Sequence, residues 1–242
     1  MNSVFQRLRK LVLTLLLLIC VAWVFGEAAQ QLLSWHAQHL LADIRSLDVN
    51  HTTWSDAAPI MQRWSRWGSA KAGCSEAACE YRITLAQALP PFLIGSPDAT
   101  AKNLLPRLMD HIGLRTAAVR AGLTVEHGIV TSKWFGEQVT LPVRNWNATD
   151  DYVPYLSVAS TETSHFHEHT AGNALPHPNR MTQHVKTYLE INDSPKEDPF
   201  QRSELMAFRF NCITQLHPCE SEADILPAGL NLIQEQRFPP TR

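Results

Sequence analysis

The feature that most constrains this chain is an apolar stretch near its N-terminus. Residues 11–25 read LVLTLLLLICVAWVF, in which Thr14 is the single polar side chain. A run of this kind has no stable place in water and is typical of a membrane-spanning helix or a signal peptide. Three basic residues, Arg7, Arg9 and Lys10, precede the run, and no matching basic group directly follows it. This asymmetry predicts a cytoplasmic N-terminus and an exported body.

The sequence leaves two interpretations of this segment open. Gly26 and Ala28 place small residues at the offsets of a signal-peptidase site, so cleavage is one of them. Trp23 and Phe25 suit a membrane interface and the helical pattern continues beyond them, which favours a retained anchor. We therefore predict a cytoplasmic tail at 1–10, a transmembrane signal-anchor at 11–26, a juxtamembrane amphipathic helix at 27–48 and an extracytoplasmic α+β domain at 49–242.

The part of the chain after the apolar stretch is acidic. Without the first 26 residues, 18 basic side chains face 23 acidic ones, which gives a formal charge of −5. A nucleic-acid binder needs a basic surface to displace counterions from phosphates, so the composition argues against nucleic acid as a partner. The partners that we predict are the lipid bilayer, through residues 11–26, and a protein of the bacterial envelope.

Four of the five cysteines lie in close pairs, Cys74 with Cys79 and Cys212 with Cys219. In an oxidising compartment near-neighbour pairing is the simplest of the three possible connectivities, and it predicts two structural disulfides. Free or metal-bound thiols are the alternative, although neither spacing is Cys-x-x-Cys. Cys20 lies inside the apolar run, where it serves as an apolar filler.

The periodicity of the hydrophobic residues predicts two helices at the start of the exported part. Residues 27–47 carry an apolar stripe at helical spacing with polar residues on the other side. Thr53 and Asp56 have the spacing of a capping box, which predicts the start of a second helix that ends near Gly68. Four tryptophans lie in this helical hairpin, where they fill the core or form a binding face: Trp35, Trp54, Trp64 and Trp67.

Alternating apolar and polar residues then predict a series of strands. These segments lie at 80–85, 123–125, 129–135, 139–143, 153–158, 185–191 and 206–212, with a turn at His127-Gly128 and a short helix at 104–112. The stretches at 161–180 and 192–203 are polar and are predicted as loops. Half-polar strands are typical of an antiparallel sheet with one covered face. The predicted fold is α+β, with an N-terminal transmembrane helix and a helical hairpin packed on an antiparallel sheet of about six strands.

Two resemblances follow from these elements. The segment IRSLDVNHTTWSDA at 44–57, followed by a helix and then strands, resembles the opening of SmpA/OmlA-type envelope domains. In that pattern a valine-glycine turn precedes the threonine that starts the second helix. Asn50 stands where the glycine would be, and no proline follows Gly68. The resemblance covers about 25 residues and implies an envelope location.

The whole chain is also similar to a group of uncharacterised membrane-anchored extracytoplasmic proteins of acidobacterial type. The residues that carry this likeness are LADIRSL at 41–47, Cys74 and Cys79 before a strand, VEHGIV at 125–130, and FNCIT at 210–214 with Cys219 and Leu226-Pro227. The resemblance implies a single-pass topology and the disulfides, and it transfers no functional residue.

A histidine cluster is the sharpest candidate for chemistry. Residues 164–169 read SHFHEH, and in a strand the three histidines would point to one side. Three imidazoles on one face can ligate zinc, copper or nickel. Solvated side chains in a loop are the alternative. The candidate ligands are His165, His167 and His169, with Glu168, His177 or His184 as additions.

Several enzyme signatures are absent from the sequence, among them the Gly-x-Ser-x-Gly elbow, the phosphate-binding glycine loop and the dinucleotide fingerprint. Our leading hypothesis is therefore a non-enzymatic interaction or structural module of the bacterial envelope. It would be single-pass in the inner membrane, with its domain in the periplasm. A metal-binding or metal-sensing domain built on residues 165–169 is the first alternative, and a hydrolase without a recognisable motif is the second.

Overall fold

The computed structural model describes residues 2–71, 73–86, 113, 116–141, 155–165, 170–173, 185–214, 219–229 and 231. Helix α1 runs without interruption over Asn2–Ser46. Its sequence is rich in leucine, alanine and glutamine and contains no proline, which suits a long helix. The predicted membrane segment and the predicted amphipathic helix are thus two parts of one element. The domain core begins within α1, where Leu33, Ala37 and Leu40 are buried.

Helix α2 covers Trp54–Arg63 and begins where the capping box predicts. The Thr53 backbone N–H donates to Asp56 Oδ2 at 3.4 Å, and the Thr53 hydroxyl donates to the same oxygen at 2.6 Å. The end of this helix differs from the prediction, because α2 stops at Arg63 and Gly68 opens a strand instead. A Cβ at Gly68 would overlap the Tyr81 hydroxyl, which donates to the Met61 carbonyl, so glycine serves here for a close approach rather than as a helix stop.

The described strands form a seven-stranded sheet of order β1-β2-β3-β4-β5-β7-β6. Their bounds are β1 Gly68–Ala70, β2 Ala78–Ala86, β3 Ala117–Glu126, β4 Ile129–Thr140, β5 Tyr155–Thr163, β6 Thr170–Asn173 and β7 Val185–Asp193. The α+β class is confirmed. The sheet is mixed, because β5 and β7 pair in parallel while the other described pairs are antiparallel.

The β3–β4 hairpin turns at the predicted dipeptide. His127 has a φ of 53° and Gly128 a φ of 79°, the pair of positive values that a tight two-residue turn between strands requires. The two separate strands predicted at 129–135 and 139–143 are one strand, β4, up to Thr140. The predicted helix at 104–112 lies outside the described residues.

The C-terminal part differs most from the sequence prediction. Residues 206–212 do not form a strand. Helix α3 (Pro199–Leu205) precedes them and helix α4 (Asn211–Thr214) overlaps their end. Phe208, Phe210 and Cys212 are nevertheless buried while Arg209 is exposed, so the alternation reports burial correctly and backbone conformation wrongly. The predicted loops also contain regular structure, namely β6, the ends of β5 and β7, and α3.

Helix α5 covers Glu222–Ile225, and Asp224 accepts hydrogen bonds from the backbone N–H groups of Glu220 and Ser221 at its start. Helical backbone follows it at 227–229. The short C-terminal helices and the second half of α1 cover the same face of the sheet. Phe135 of β4 lies at the centre of this layer, with its ring 4.9 Å from that of Phe208 and 5.9 Å from that of Phe210. The core is therefore assembled between the continuation of the membrane-type helix and the sheet.

Candidate functional site

Four charged side chains meet where α1 ends against the sheet, and we call them the charged junction. Asp48 follows α1, Lys133 lies on β4, Glu162 on β5 and Arg202 on α3. Lys133 and Glu162 are opposite each other in the β4–β5 ladder, so their side chains share the covered face. Their side chains are only 5% and 3% exposed.

The charges of the junction are paired with one another. Lys133 Nζ lies 3.3 Å from Glu162 Oε2. The guanidinium Nη2 of Arg202 donates to Glu162 Oε1 at 2.7 Å and to Asp48 Oδ1 at 2.9 Å. Each buried charge thus has an opposite partner, which is the condition under which buried ion pairs persist.

Burial and pairing act in opposite directions on the pKa values of the two bases. Desolvation lowers the pKa of Lys133, although the Glu162 carboxylate works against this shift. Desolvation also disfavours the charged form of Arg202, but its bonds to Asp48 and Glu162 prevail and its pKa is raised. Arg202 therefore stays charged and holds both carboxylates in place.

Lys133 also connects the junction to the end of α1. Its ammonium group donates to the backbone carbonyl of Leu47, the residue that follows Ser46. Carbonyls at a helix C-terminus lack intrahelical partners and carry the negative end of the helix dipole, so a cation is stabilising there. The junction thereby ties the end of α1 to β4, β5 and α3.

A half-open cleft of about 420 Å³ lies over the junction. Arg45 closes one side, with its Nη2 donating to Ser203 Oγ at 2.8 Å. The charged groups Asp48, Lys133, Glu162 and Arg202 that line this cleft pair with one another, although the Nε of Arg202 is buried without a hydrogen-bond partner in the structure described. The pairing gives the cleft the chemistry of a structural clamp between α1 and the sheet.

The tryptophans of the helical hairpin divide into different environments. Trp64 is buried and its Nε1 donates to Asp43 Oδ2 at 2.7 Å, while Arg63 binds the other oxygen of that carboxylate at 2.6 Å. Trp54 and Trp67 are half-buried against the core. Trp35 is 53% exposed. Trp64 thus has the core role that the sequence left open, and Trp35 remains available to a partner or a membrane surface.

A second cavity, of about 360 Å³, lies between residues 29–36 of α1 and the end of β2, and we call it the α1–β2 groove. Its main lining residues are Leu32, Leu33, His36, Arg66, Trp67 and Leu85. The Arg66 guanidinium carbon lies 5.5 Å from the centre of the Trp67 ring. His36 Nδ1–H donates to the Leu32 carbonyl at 2.9 Å, which holds the imidazole against the groove.

Sequence reasoning missed a buried carboxyl group on β4. Glu137 is 0% exposed, lies beside Val119 and Val158 in the sheet, and neither of its oxygens has a hydrogen-bond partner in the structure described. Burial raises its pKa well above the usual value, so the neutral acid is favoured. The available signal was the alternation of β4, which places Glu137 in register with Phe135 and Val139.

The histidine cluster is only partly covered by the described residues. His165 is exposed in the turn that follows β5. His167, His169, Glu168, His177 and His184 lie outside the described residues. Within the described ranges no group of three or more His, Cys, Asp or Glu side chains converges as metal ligands would. The metal site stays a hypothesis.

Both predicted disulfides are formed. Cys74 is bonded to Cys79 just before β2, and Cys212 is bonded to Cys219 between α4 and α5. Cys20, the remaining cysteine of the sequence, is a free thiol on α1. The pairing is the near-neighbour connectivity, and it is typical of a protein that folds in an oxidising compartment.

Comparison with known proteins leaves the site to be interpreted from its own geometry. The chain matches no protein-family model, and neither a curated protein nor a solved structure with significant similarity to it is found. The SmpA/OmlA-type and acidobacterial-type resemblances therefore stay expectations. Asn50 does adopt a φ of 71°, a left-handed conformation that glycine also favours.

Proposed function

We propose that this protein is a non-enzymatic interaction module of the bacterial cell envelope, held beside the membrane by its own anchor helix. One observation carries the proposal: α1 is continuous over Asn2–Ser46, from the apolar segment into the domain core. The helix is long and apolar enough to cross a membrane, with a mean hydropathy of 2.4 in its apolar window. Anchor and domain are thus joined by a helix instead of a flexible linker.

The consequence is geometric. At 1.5 Å per residue, the 22 residues from Phe25 to Ser46 span roughly 33 Å along the helix axis. A continuous helix keeps the domain at a defined height, whereas a flexible linker of the same length would let it sample many positions. A surface presented at one height and one orientation suits recognition of a partner in the same membrane.

The charged junction supports this interpretation. It binds the end of α1 to two strands and to α3 through Lys133, Glu162 and Arg202. Because each charge of the junction has an opposite partner within the protein, we assign these residues to holding α1 in place rather than to a reaction.

The proposed location is the inner membrane, with the N-terminus cytoplasmic and the domain periplasmic. Arg7, Arg9 and Lys10 before the apolar run support this orientation through the positive-inside rule. The two disulfides support an oxidising compartment for the domain.

Site-specific photocrosslinking in living cells tests the proposal. A photoreactive residue replaces either Trp35, at the end of the domain nearest the apolar run, or His51, beyond the opposite end of α1. Both residues are exposed. We expect a discrete crosslinked envelope protein from at least one position. A flexible insertion between α1 residues 29 and 30 should greatly reduce the crosslink while the protein remains in the membrane. Diffuse or absent crosslinks from both positions would contradict an interaction module.

A further inference from the structure

The α1–β2 groove lies next to the point where α1 leaves the apolar run. Leu32 and His36 follow Phe25 by seven and eleven residues, which places them roughly 10 and 16 Å further along the helix axis. Leu85, on the opposite wall, lies near the end of β2, so this end of the sheet is the one directed toward the apolar run.

The length of the apolar run brings the groove to the level of the lipid headgroups. Fifteen residues of helix span roughly 22 Å, whereas the hydrocarbon core of a bilayer is about 30 Å thick. The difference of roughly 8 Å is about five further helical residues, so the bilayer interface extends past Phe25 toward Ala29, the first α1 residue of the groove. Leu32 and Trp35, 56% and 53% exposed, come next along α1.

The chemistry of the groove fits a phospholipid. Leu33 and Leu85 form an apolar floor, and Leu32 extends the apolar surface toward the end of the membrane run. Arg66 supplies an exposed guanidinium that makes no ion pair within the part of the chain that the structure describes. Trp67 beside it has the amphipathic ring that is typical of headgroup level.

The charges around Arg66 leave this guanidinium available. The nearest basic residue on α2, Arg63, is bound to Asp43 at 2.6 Å, so that carboxylate is already used. A guanidinium pairs with phosphate through parallel N–H donors, and each cation near an anionic membrane surface contributes favourably.

From this juxtaposition we propose that the α1–β2 groove binds an anionic phospholipid of the membrane that α1 crosses, with Arg66 on the phosphate and the leucines along the start of the acyl chain. The inference rests on the proposed membrane placement. It adds a specific lipid contact that would fix how the whole protein is rotated in the bilayer about the axis of α1.

The test uses the full-length protein reconstituted in vesicles of equimolar phosphatidylcholine and phosphatidylglycerol. The protein is extracted in a mild detergent, and native mass spectrometry counts the phospholipids that remain bound. Arg66→Ala is compared with Arg209→Ala, which removes another exposed cation, outside the groove. Arg66→Lys tests whether positive charge at this position is enough to retain the lipid.

We expect the wild-type protein and Arg209→Ala to retain phosphatidylglycerol in preference to phosphatidylcholine. Arg66→Ala should retain about five-fold less, the effect of one lost interfacial cation. Equal retention by Arg66→Ala and wild type would overturn the proposal, as would an equal loss in both alanine variants. Displacement of the lipid by added inorganic phosphate would also overturn it, because the groove would then hold a soluble anion.

A separate measurement distinguishes failure of the lipid site from failure of the anchor. Resistance of the protein to alkaline extraction from membranes reports the anchor alone and should be unchanged in Arg66→Ala. Loss of the lipid preference with the anchor intact supports the groove assignment. A wild-type chain that alkaline treatment releases from the membrane would instead contradict the proposed function itself.

Discussion

Among the ionisable residues on the covered face of the sheet, Lys133, Glu162 and Glu137 have surroundings that give them different roles. Lys133 and Glu162 neutralise each other beside Arg202, whereas Glu137 lies among Val119, Val158 and other apolar groups without a partner in the structure described. A buried charge with a partner contributes to specificity, and a buried acid without one is stable only when it is protonated. The alternation of β4 therefore buries both Lys133, whose charge is paired, and Glu137, whose carboxyl group has no partner in the structure described.

We expect Glu137→Gln to remove a pH-dependent loss of stability. Because the folded-state pKa of Glu137 is raised, its contribution is fully present below the unfolded pKa of about 4.3 and is lost as pH rises through the folded value. The variant should match the wild type near pH 4 and exceed it at pH 8 by about 1 kcal/mol or more. Chemical unfolding of the detergent-solubilised protein at both pH values measures this.

The matched control for that experiment is Glu204→Gln, which removes an exposed carboxylate on α3. Its stability should follow the wild-type pH dependence. If Glu137→Gln also follows it, Glu137 is ionised in the folded protein and has a partner that compensates its charge.

The charged junction predicts a large effect from one amide substitution. Glu162→Gln leaves Lys133 and Arg202 near each other without the carboxylate that pairs with both. Removing one partner of a buried ion pair destabilises by about 3–5 kcal/mol. Glu80→Gln is the control, since Glu80 pairs with Arg82 and Lys71 at the surface and its loss should have a much smaller effect. Equal midpoints of denaturant unfolding for the two variants would contradict a buried junction.

At the scale of elements, the sequence correctly predicts the helices and strands for which the hydrophobic periodicity agrees with a capping or turn motif. The capping box locates the start of α2, and His127-Gly128 locates the β3–β4 turn. The strand predicted at 206–212 is wrong because alternation indicates which side chains are buried and does not specify the backbone conformation. Asp198 accepts bonds from the N–H groups of Phe200 and Gln201 and starts α3 there, which the polar composition of 192–203 concealed.

The Cys212–Cys219 disulfide joins α4 to the segment just before α5, and both helices are too short to persist alone. Helices α4 and α5 have four residues each, and isolated helices of that length are unstable in water. We expect the double substitution Cys212→Ser with Cys219→Ser to lower the free energy of unfolding by about 2 kcal/mol, the loop-closure value for a short ring. Thermal unfolding with and without reductant measures it. Reductant should lower the melting temperature of this variant less than that of the wild type. Equal melting temperatures for the variant and the wild type without reductant would contradict a stabilising role for the Cys212–Cys219 disulfide.

At the scale of the whole molecule, the sequence predicts the long apolar N-terminal helix and does not predict the charged junction. The apolar run and its basic flank are local, so composition alone predicts them. The junction joins Asp48, Lys133, Glu162 and Arg202 from four separate elements, and nothing in the sequence states which strands are neighbours. The predicted histidine cluster is adjacent in sequence, and because His167 and His169 lie outside the described residues its metal site stays a hypothesis.

The continuity of α1 makes a prediction about the height of the domain above the bilayer. With Cys20 replaced by alanine and the four other cysteines in disulfides, a single cysteine at exposed His51 accepts a fluorescent label. Energy transfer from this label to an acceptor in the headgroups should report one narrow distance of the order of 30 Å, because a helix cannot shorten as a coil does. A Gly/Ser insertion between residues 29 and 30 should broaden the distribution of distances.

This insertion precedes the first buried residues of α1, Gln30 and Leu33, so thermal stability of the domain should not change. An unchanged melting temperature together with a broadened distance distribution would show that the continuity of α1 fixes the height of the domain above the bilayer. A broad distribution already in the wild-type protein would mean that α1 bends between the bilayer and the core, and the domain would then meet its partners as a tethered body. The geometric basis of the proposed function therefore depends on the dozen residues of α1 between the apolar run and Ala37.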